Sequence, residues 1–211
     1  MTNAEEISIL DYGSGNIGSI PNMLKRCGVK SVIVSSADGL KKAKKIILPG
    51  VGSFGHAMHC LREGGYINIL NQKVVDEKIP VLGICLGMQI LGQSSEESPS
   101  TEGLCWIDGS LKKFIAADKT IKIPHMGWNH IENKDSTHPL LKDLDKARFY
   151  HVHSYHYFDL PIRNILACSH HGYDFPSIIA QDNIMGVQFH PEKSHRYGLQ
   201  LLKNFANYMP C

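Results

Sequence analysis

Three short stretches of this chain hold residues able to do covalent chemistry. Gly83-Ile84-Cys85-Leu86-Gly87 sets a thiol between two glycines, after an apolar run at 80–84 and before a helical stretch. This is the cysteine form of the G-x-S-x-G nucleophile turn. A sharp strand-to-helix turn strains its central residue, and the neighbouring chain leaves no room for side chains two residues to either side. The free N–H groups of the helix that follows favour a thiolate and can receive an oxyanion. A lone cysteine is more often a core residue. The paired glycines and the strand–turn–helix setting are what favour a nucleophile here.

A thiol nucleophile needs a base, and the base needs an orienting group. With 12 histidines in the chain, a histidine by itself means little. Gln188-Phe189-His190-Pro191-Glu192 differs because it closes an apolar strand. His190 and Glu192 are two apart, so both lean the same way in extended chain, and Pro191 stiffens the step. One imidazole nitrogen can then donate to Glu192 while the other faces Cys85. Taken alone, these residues also fit a surface turn. The third stretch, Leu48-Pro49-Gly50-Val51-Gly52-Ser53-Phe54-Gly55, ends another apolar run in glycines. Its unencumbered amides suit an oxyanion hole, and equally an ordinary βα turn.

The elements that must position these residues alternate. Apolar runs at 7–12, 31–35, 45–49 and 80–85 read as strands, and helix-spaced stretches lie at 16–27, 57–62, 66–77 and 86–92. That order predicts βαβ units and a parallel sheet covered on both faces, with ligands bound beyond the carboxyl ends of the strands. The polar stretch 94–102 reads as a surface loop. Short strands are expected at 111–115, 121–123, 128–131, 148–157, 165–168 and 177–181, with antiparallel pairing. A last strand at 184–189 and a helix near 196–208 close the chain.

Size and composition narrow the function. A length of 211 residues fits one domain, 1–211,. Apolar content of 43%, charged content of 20% and a net charge of +2 describe an ordinary globular protein,. The charges are mixed, so neither nucleic acid nor a membrane surface is the expected partner. The acidic start lacks a secretory pattern, and no apolar run nears the roughly 20 residues that span a bilayer. Six cysteines without C-x-x-C spacing argue against a disulfide scaffold or zinc cluster and for the reducing cytoplasm,. The histidines at 125, 130, 138, 151, 153, 156, 170 and 171 show no compact ligand set, so no metal and no cofactor are expected,. Gly13-Ser14-Gly15-Asn16-Ile17-Gly18, with Asp38 beyond it, satisfies the crude dinucleotide fingerprint,. Asp38 falls in a polar turn past the second strand, and the fingerprint leaves Cys85 and Phe189-His190-Pro191-Glu192 unexplained. A catalytically dead binding subunit would be expected to lack nucleophile or base, and both are present.

Together, Pro49-Gly50-Val51-Gly52, Gly83-Ile84-Cys85-Leu86-Gly87-Met88-Gln89 and Gln188-Phe189-His190-Pro191-Glu192 resemble the signature of the class I, triad-type glutamine amidotransferases. Further segments narrow the likeness to the glutaminase subunits of imidazole glycerol phosphate synthase, over about residues 7–206. They are Asp11-Tyr12-Gly13-Ser14-Gly15-Asn16, Pro124-His125-Met126-Gly127-Trp128-Asn129, Val152-His153-Ser154-Tyr155 and Pro191-Glu192-Lys193-Ser194. The resemblance implies a flavodoxin-like α/β fold: an open, mixed, mainly parallel sheet with helices on both faces. It implies glutamine hydrolysis by Cys85, His190 and Glu192, with amides of Leu86 and the Val51–Gly52 turn as oxyanion hole. Gly50, Gln89, Glu97 (or its neighbour Glu96), His153, Ser154 and Tyr155 would meet L-glutamine. Asn16, His125, Met126, Trp128, Asn129 and Tyr150 would face a (β/α)₈-barrel cyclase in a heterodimer that receives the ammonia for histidine biosynthesis. A peptide flip in the 49–53 loop would be the partner's switch. His151 stands where the family has an apolar aromatic, and 170–175 is histidine-rich. Both departures leave open a paralogue that feeds a sugar-amidating synthase in surface polysaccharide synthesis.

Overall fold

The computed structural model describes residues 6–14, 17–116, 121–135 and 137–209. The elements, in chain order, begin with β1 (Ile7–Leu10), α1 (Ser19–Arg26), β2 (Ser31–Val34) and α2 (Ala37–Leu40). Next come β3 (Lys45–Gly50), α3 (Phe54–Glu63), α4 (Tyr66–Asn71), β4 (Val81–Cys85) and α5 (Leu86–Gln89). The second half holds β5 (Ser94–Ser95), β6 (Ser110–Lys113), β7 (His125–His130), β8 (Glu132–Asn133), β9 (Arg148–His153) and β10 (Tyr155–Tyr157). It ends with β11 (Ile165–His170), β12 (Asp174–Gln181), β13 (Ile184–Val187) and α6 (His195–Asn207).

The main sheet has the order β2-β1-β3-β4-β13-β12-β11-β8. Its first five strands run parallel, and β12, β11 and β8 join antiparallel. The period-2 alternation of each central strand feeds two cores. Ile7, Ile9, Ile47, Leu82, Ile84, Met185 and Val187 meet Leu24 of α1 and Leu201 and Phe205 of α6 on one face. Leu10, Ile46, Leu48, Val81 and Ile184 meet Phe54, Leu61 and Leu70 of α3 and α4 on the other. Strands buried on both faces are why these runs are continuously apolar. Ser53 caps α3, its Oγ accepting from the His56 amide,. Among the described residues no helix is long and apolar enough to cross a membrane.

The expected elements of the first half are present, and α2 is an addition. The second half departs in three places. The expected strand at 148–157 is two strands broken at Ser154, with β9 pairing β7 and β10 pairing β6 in separate small sheets. No strand forms at 121–123. Within the expected loop, Ser94–Ser95 pairs parallel with β6, and Ser95 is buried. Each departure depends on which partner strand is within reach, which local pattern does not encode.

Candidate active site

The carboxyl ends of β3, β4 and β13 lie side by side, with Gly50 opposite Cys85 and Val187 opposite Ile84. Cys85 ends β4 and leads directly into α5. Its φ of 55° and ψ of −112° are costly for any residue with a side chain,. Tight packing imposes the turn: a Cβ on Gly87 would run into the Leu48 carbonyl oxygen, and one on Gly83 into the Gly87 carbonyl. Both glycines of the motif are thus required by close backbone approach.

His190 stands just beyond β13, where a single turn of 3₁₀ helix (Pro191–Lys193) returns Glu192 to its imidazole. His190 Nδ1 lies 2.7 Å from Glu192 Oε1, and both side chains are nearly buried. An ionised carboxylate only accepts, so Nδ1 carries the proton of this bond. His190 Nε2 is buried without an oxygen or nitrogen partner. Its neighbour is the Cys85 thiol, which acts on the ring. Burial opposes the imidazolium, but Cys85 and Glu192 outweigh it and raise the His190 pKa to about 10,. Ser194, quoted in the sequence only as the end of Pro191-Glu192-Lys193-Ser194 and given no role there, donates from Oγ to the His190 carbonyl at 2.6 Å and accepts from the Tyr150 amide at 3.0 Å. It ties β9 to the base.

A cavity of about 350 Å³ opens over Cys85 and His190. Val51, Gly52, Leu86, Gln89, Glu97, Val152, His153, Ser154 and Tyr155 line it, together with Pro124 and Lys193, whose part in the wall their own motifs did not reveal. Gln89 is held from behind, donating to the Tyr155 carbonyl and to Gln188 Oε1, both at 3.2 Å. Of the two candidate carboxylates, Glu97 reaches the cavity, with Oε2 accepting from the Phe54 amide at 2.7 Å. Glu96 is exposed and accepts from the Lys113 amide instead. Gly50 does not line the cavity; it packs below it, where a Cβ would meet Leu86 and the Gly87 amide at 2.9 Å. The Val51 amide donates to the Ser14 carbonyl at 3.3 Å, while Ser14 Oγ donates to the Val51 carbonyl at 2.8 Å. Val51 is therefore clamped by Ser14, with its N–H directed away from an oxyanion on Cys85.

The residues expected at a partner surface divide. Met126, at 62% exposure, and Trp128, at 42%, project from β7. Tyr150 is half-buried beside Trp128, with ring centroids 6.2 Å apart. Asn129 is half-buried and bonded to the His170 carbonyl. His125 is a correction: alternation along β7 turns it inward, where it is 5% exposed,. Asn16 lies outside the described residues. The expectation that no compact histidine set forms is overturned. Cross-strand pairing sets His125 opposite His153, and His151 lies two residues along the same face, so the three imidazoles converge.

A strained cysteine turn, a histidine–carboxylate pair at its side and a mainly parallel sheet with both faces covered define the class. The family model for class-I glutamine amidotransferases matches residues 8–208, and the chain belongs to that family. Among curated relatives, it is 49% identical to "Imidazole glycerol phosphate synthase subunit HisH 2" of Methanococcus maripaludis, covering 94% of this chain and 98% of that one. It is 44% identical to the protein of the same description from Pseudomonas aeruginosa, covering 95% and 98%. Subunit HisH of Sulfurimonas denitrificans is 45% identical, covering 96% and 98%. In fold the chain is similar to a crystal structure of a glutamine amidotransferase, with a TM-score of 0.74 and 20% identity over 96% of this chain and 99% of that one. It is likewise similar to PurLQS from Thermotoga maritima, with a TM-score of 0.72, 20% identity and coverage of 96% and 98%.

Proposed function

We propose that this chain is the glutaminase subunit of an imidazole glycerol phosphate synthase, a cytoplasmic enzyme of histidine biosynthesis folded as one domain over 1–211. The observation that carries the chemistry is the cavity in which strained Cys85 meets His190, itself bonded to Glu192. Cys85 Sγ attacks the side-chain amide carbon of glutamine. The C–N bond breaks, and His190 delivers its proton to the departing ammonia. Water then attacks the thioester, gives a proton to His190 and releases glutamate. Glu192 holds the imidazole in one tautomer throughout. Glu97 receives the substrate's ammonium group through the oxygen not taken by Phe54, and Gln89 and the broken β9–β10 segment shape the pocket.

Leu86, at the start of α5, supplies one amide to the oxyanion. Val51 supplies the second only after its peptide leaves Ser14, so the glutaminase rests idle until a partner moves the 49–53 loop. Exposed Met126 and Trp128 on β7, with exposed Val51 on the cavity wall, offer a docking surface for a barrel-shaped cyclase subunit. Docking keeps ammonia from protonation in water. The identity of the relatives, 41–49% over nearly the whole chain, supports this pathway.

The test is glutamate release from glutamine with and without the same organism's cyclase subunit and its ribonucleotide substrate. Strong stimulation is expected. Cys85→Ala is expected to abolish glutamine use and leave synthesis from ammonium salts intact. Glutamine-dependent synthesis surviving in that variant would remove Cys85 from the mechanism. An unstimulated protein that glutamine analogues still label at Cys85 would belong with a different acceptor, the sugar-amidating kind.

A further inference from the structure

The three imidazoles of His125, His151 and His153 are almost wholly buried, at 5%, 0% and 6% exposure. One ligand nitrogen from each lies within 4.8 Å of the others. His153 Nε2 is 3.3 Å from His125 Nδ1 and 3.1 Å from His151 Nδ1. A tetrahedron built on zinc–nitrogen bonds of about 2.0–2.1 Å has edges of about 3.3–3.4 Å. Two edges of the triangle thus already match those of a tetrahedral site, and the third, from His125 to His151, lies within 4.8 Å. Phe114 and Phe175 wall the cluster, their rings 5.4 Å from His153 and 5.8 Å from His151.

Hydrogen bonding within the trio does not close. His153 Nδ1–H donates to the Tyr155 carbonyl at 2.9 Å, so its Nε2 presents a lone pair,. Asn129 Nδ2 donates to His125 Nε2 at 3.2 Å, so His125 Nδ1–H donates to His153 Nε2. That single acceptor is then taken, yet His151 Nδ1 also points at it, and His151 Nε2 has no partner at all. Protonating a ring does not resolve the conflict, since it adds a donor and removes an acceptor. A buried polar group left in this state is costly. A cation that accepts all three lone pairs removes the competition for His153 Nε2 and gives His151 Nδ1 a partner, while His151 Nε2–H stays unpartnered.

We propose that His125, His151 and His153 form a binding site for a zinc-class divalent transition-metal ion, with one coordination position left to water. Neutral imidazoles in an otherwise apolar shell select zinc, copper, nickel or cobalt over magnesium or calcium, which take oxygen ligands. His153 already presents the ligating tautomer, fixed by its bond to the Tyr155 carbonyl. His125 must shift its proton to Nε2, and the Asn129 amide must turn its oxygen to meet it, at the cost of its 2.7 Å bond to the His170 carbonyl. His171 packs against His125 with ring centroids 4.3 Å apart and tilted by 30°, and bonds the Lys122 carbonyl, so it buttresses the site without joining it. The site stands apart from the Cys85 turn but shares a wall with it, because His153 lines the cavity. Strand alternation already puts His151 and His153 on one face in the sequence, and only the β7–β9 register adds His125,.

The test is titration of the metal-free full-length chain with zinc, followed by calorimetry, and with cobalt, followed by visible absorption. One tight equivalent of zinc is expected, with the d–d bands of a tetrahedral cobalt–nitrogen site. His151→Phe keeps an aromatic ring in the core and should weaken zinc binding by more than about 100-fold, beyond what loss of an outer-shell partner costs. X-ray absorption of the zinc-loaded wild type provides a readout that needs no variant. A shell of nitrogens near ~2.0 Å with imidazole outer features is expected. A sulfur shell near ~2.3 Å would put the ion on a cysteine and overturn the proposal, as would unchanged binding by His151→Phe or no binding at all. None of these outcomes depends on the glutaminase reading.

Discussion

Replacing Cys85 by glycine should make the protein more stable than replacing it by alanine. In an ordinary strand or helix the order is reversed, because glycine loses more chain entropy on folding, by roughly 0.5–1 kcal/mol. At Cys85 the backbone sits at φ 55° and ψ −112°, a conformation that glycine enters without penalty. A side chain held there costs on the order of 1–3 kcal/mol. Alanine keeps that strain and glycine releases it, so the net gain for glycine is roughly 0.5–2 kcal/mol. For a chain of this size each kcal/mol moves the midpoint by about 2–4 °C, which predicts a Tm about 1–8 °C higher for Cys85→Gly than for Cys85→Ala. Both variants lack the thiol, so the comparison isolates the backbone. Thermal unfolding followed by circular dichroism, with both variants in one buffer, measures it. A glycine variant less stable than the alanine variant would mean that the turn is not strained, and the account of why Gly83 and Gly87 flank the thiol would fail with it.

Three further outcomes follow from the same geometry. His190 has a raised pKa, so its charged form stabilises the fold fully below about 6.5, the unfolded value, and that contribution is lost as pH rises toward about 10,. Wild-type Tm should therefore fall across that window, and Glu192→Gln should flatten the fall; parallel curves would refute the coupling. Ser14→Ala removes the 2.8 Å bond that clamps the Val51 carbonyl. At roughly 0.5–1.5 kcal/mol for such a bond, unstimulated glutamine hydrolysis should rise about 2–10-fold, and an unchanged basal rate would show that Ser14 does not hold the loop. Glu97→Gln keeps an oxygen for the Phe54 amide but loses the charge that meets an ammonium group. KM for glutamine should rise about 10–100-fold with kcat little altered, and a fall in kcat at constant KM would move Glu97 out of the binding role.

Much of the site was legible before any coordinates. Cys85, His190 and Glu192 announce themselves because each chemical demand is local: a turn needing glycines on both sides, and a base and its carboxylate two residues apart. The parallel half of the sheet was legible for the same reason, since strands buried on both faces must be continuously apolar. What local pattern could not show is which strands pair. The break at Ser154 sends β9 and β10 to different sheets and makes the segment between them a cavity wall. The choice between Glu96 and Glu97 rests on distant partners, the Lys113 amide for Glu96 and the Phe54 amide for Glu97. The clamp of Ser14 on Val51 joins residues 37 apart in the chain. The convergence of His125 with His151 and His153 comes from the β7–β9 register, and a one-residue slip would send His125 to the opposite face,. The sequence by itself thus determined the candidate reacting groups and the family they point to, because those constraints act within a few residues. Only the tertiary structure decided the pocket walls, the clamp of Ser14 on Val51 and the histidine cluster, because each of these depends on contacts between segments far apart in the chain.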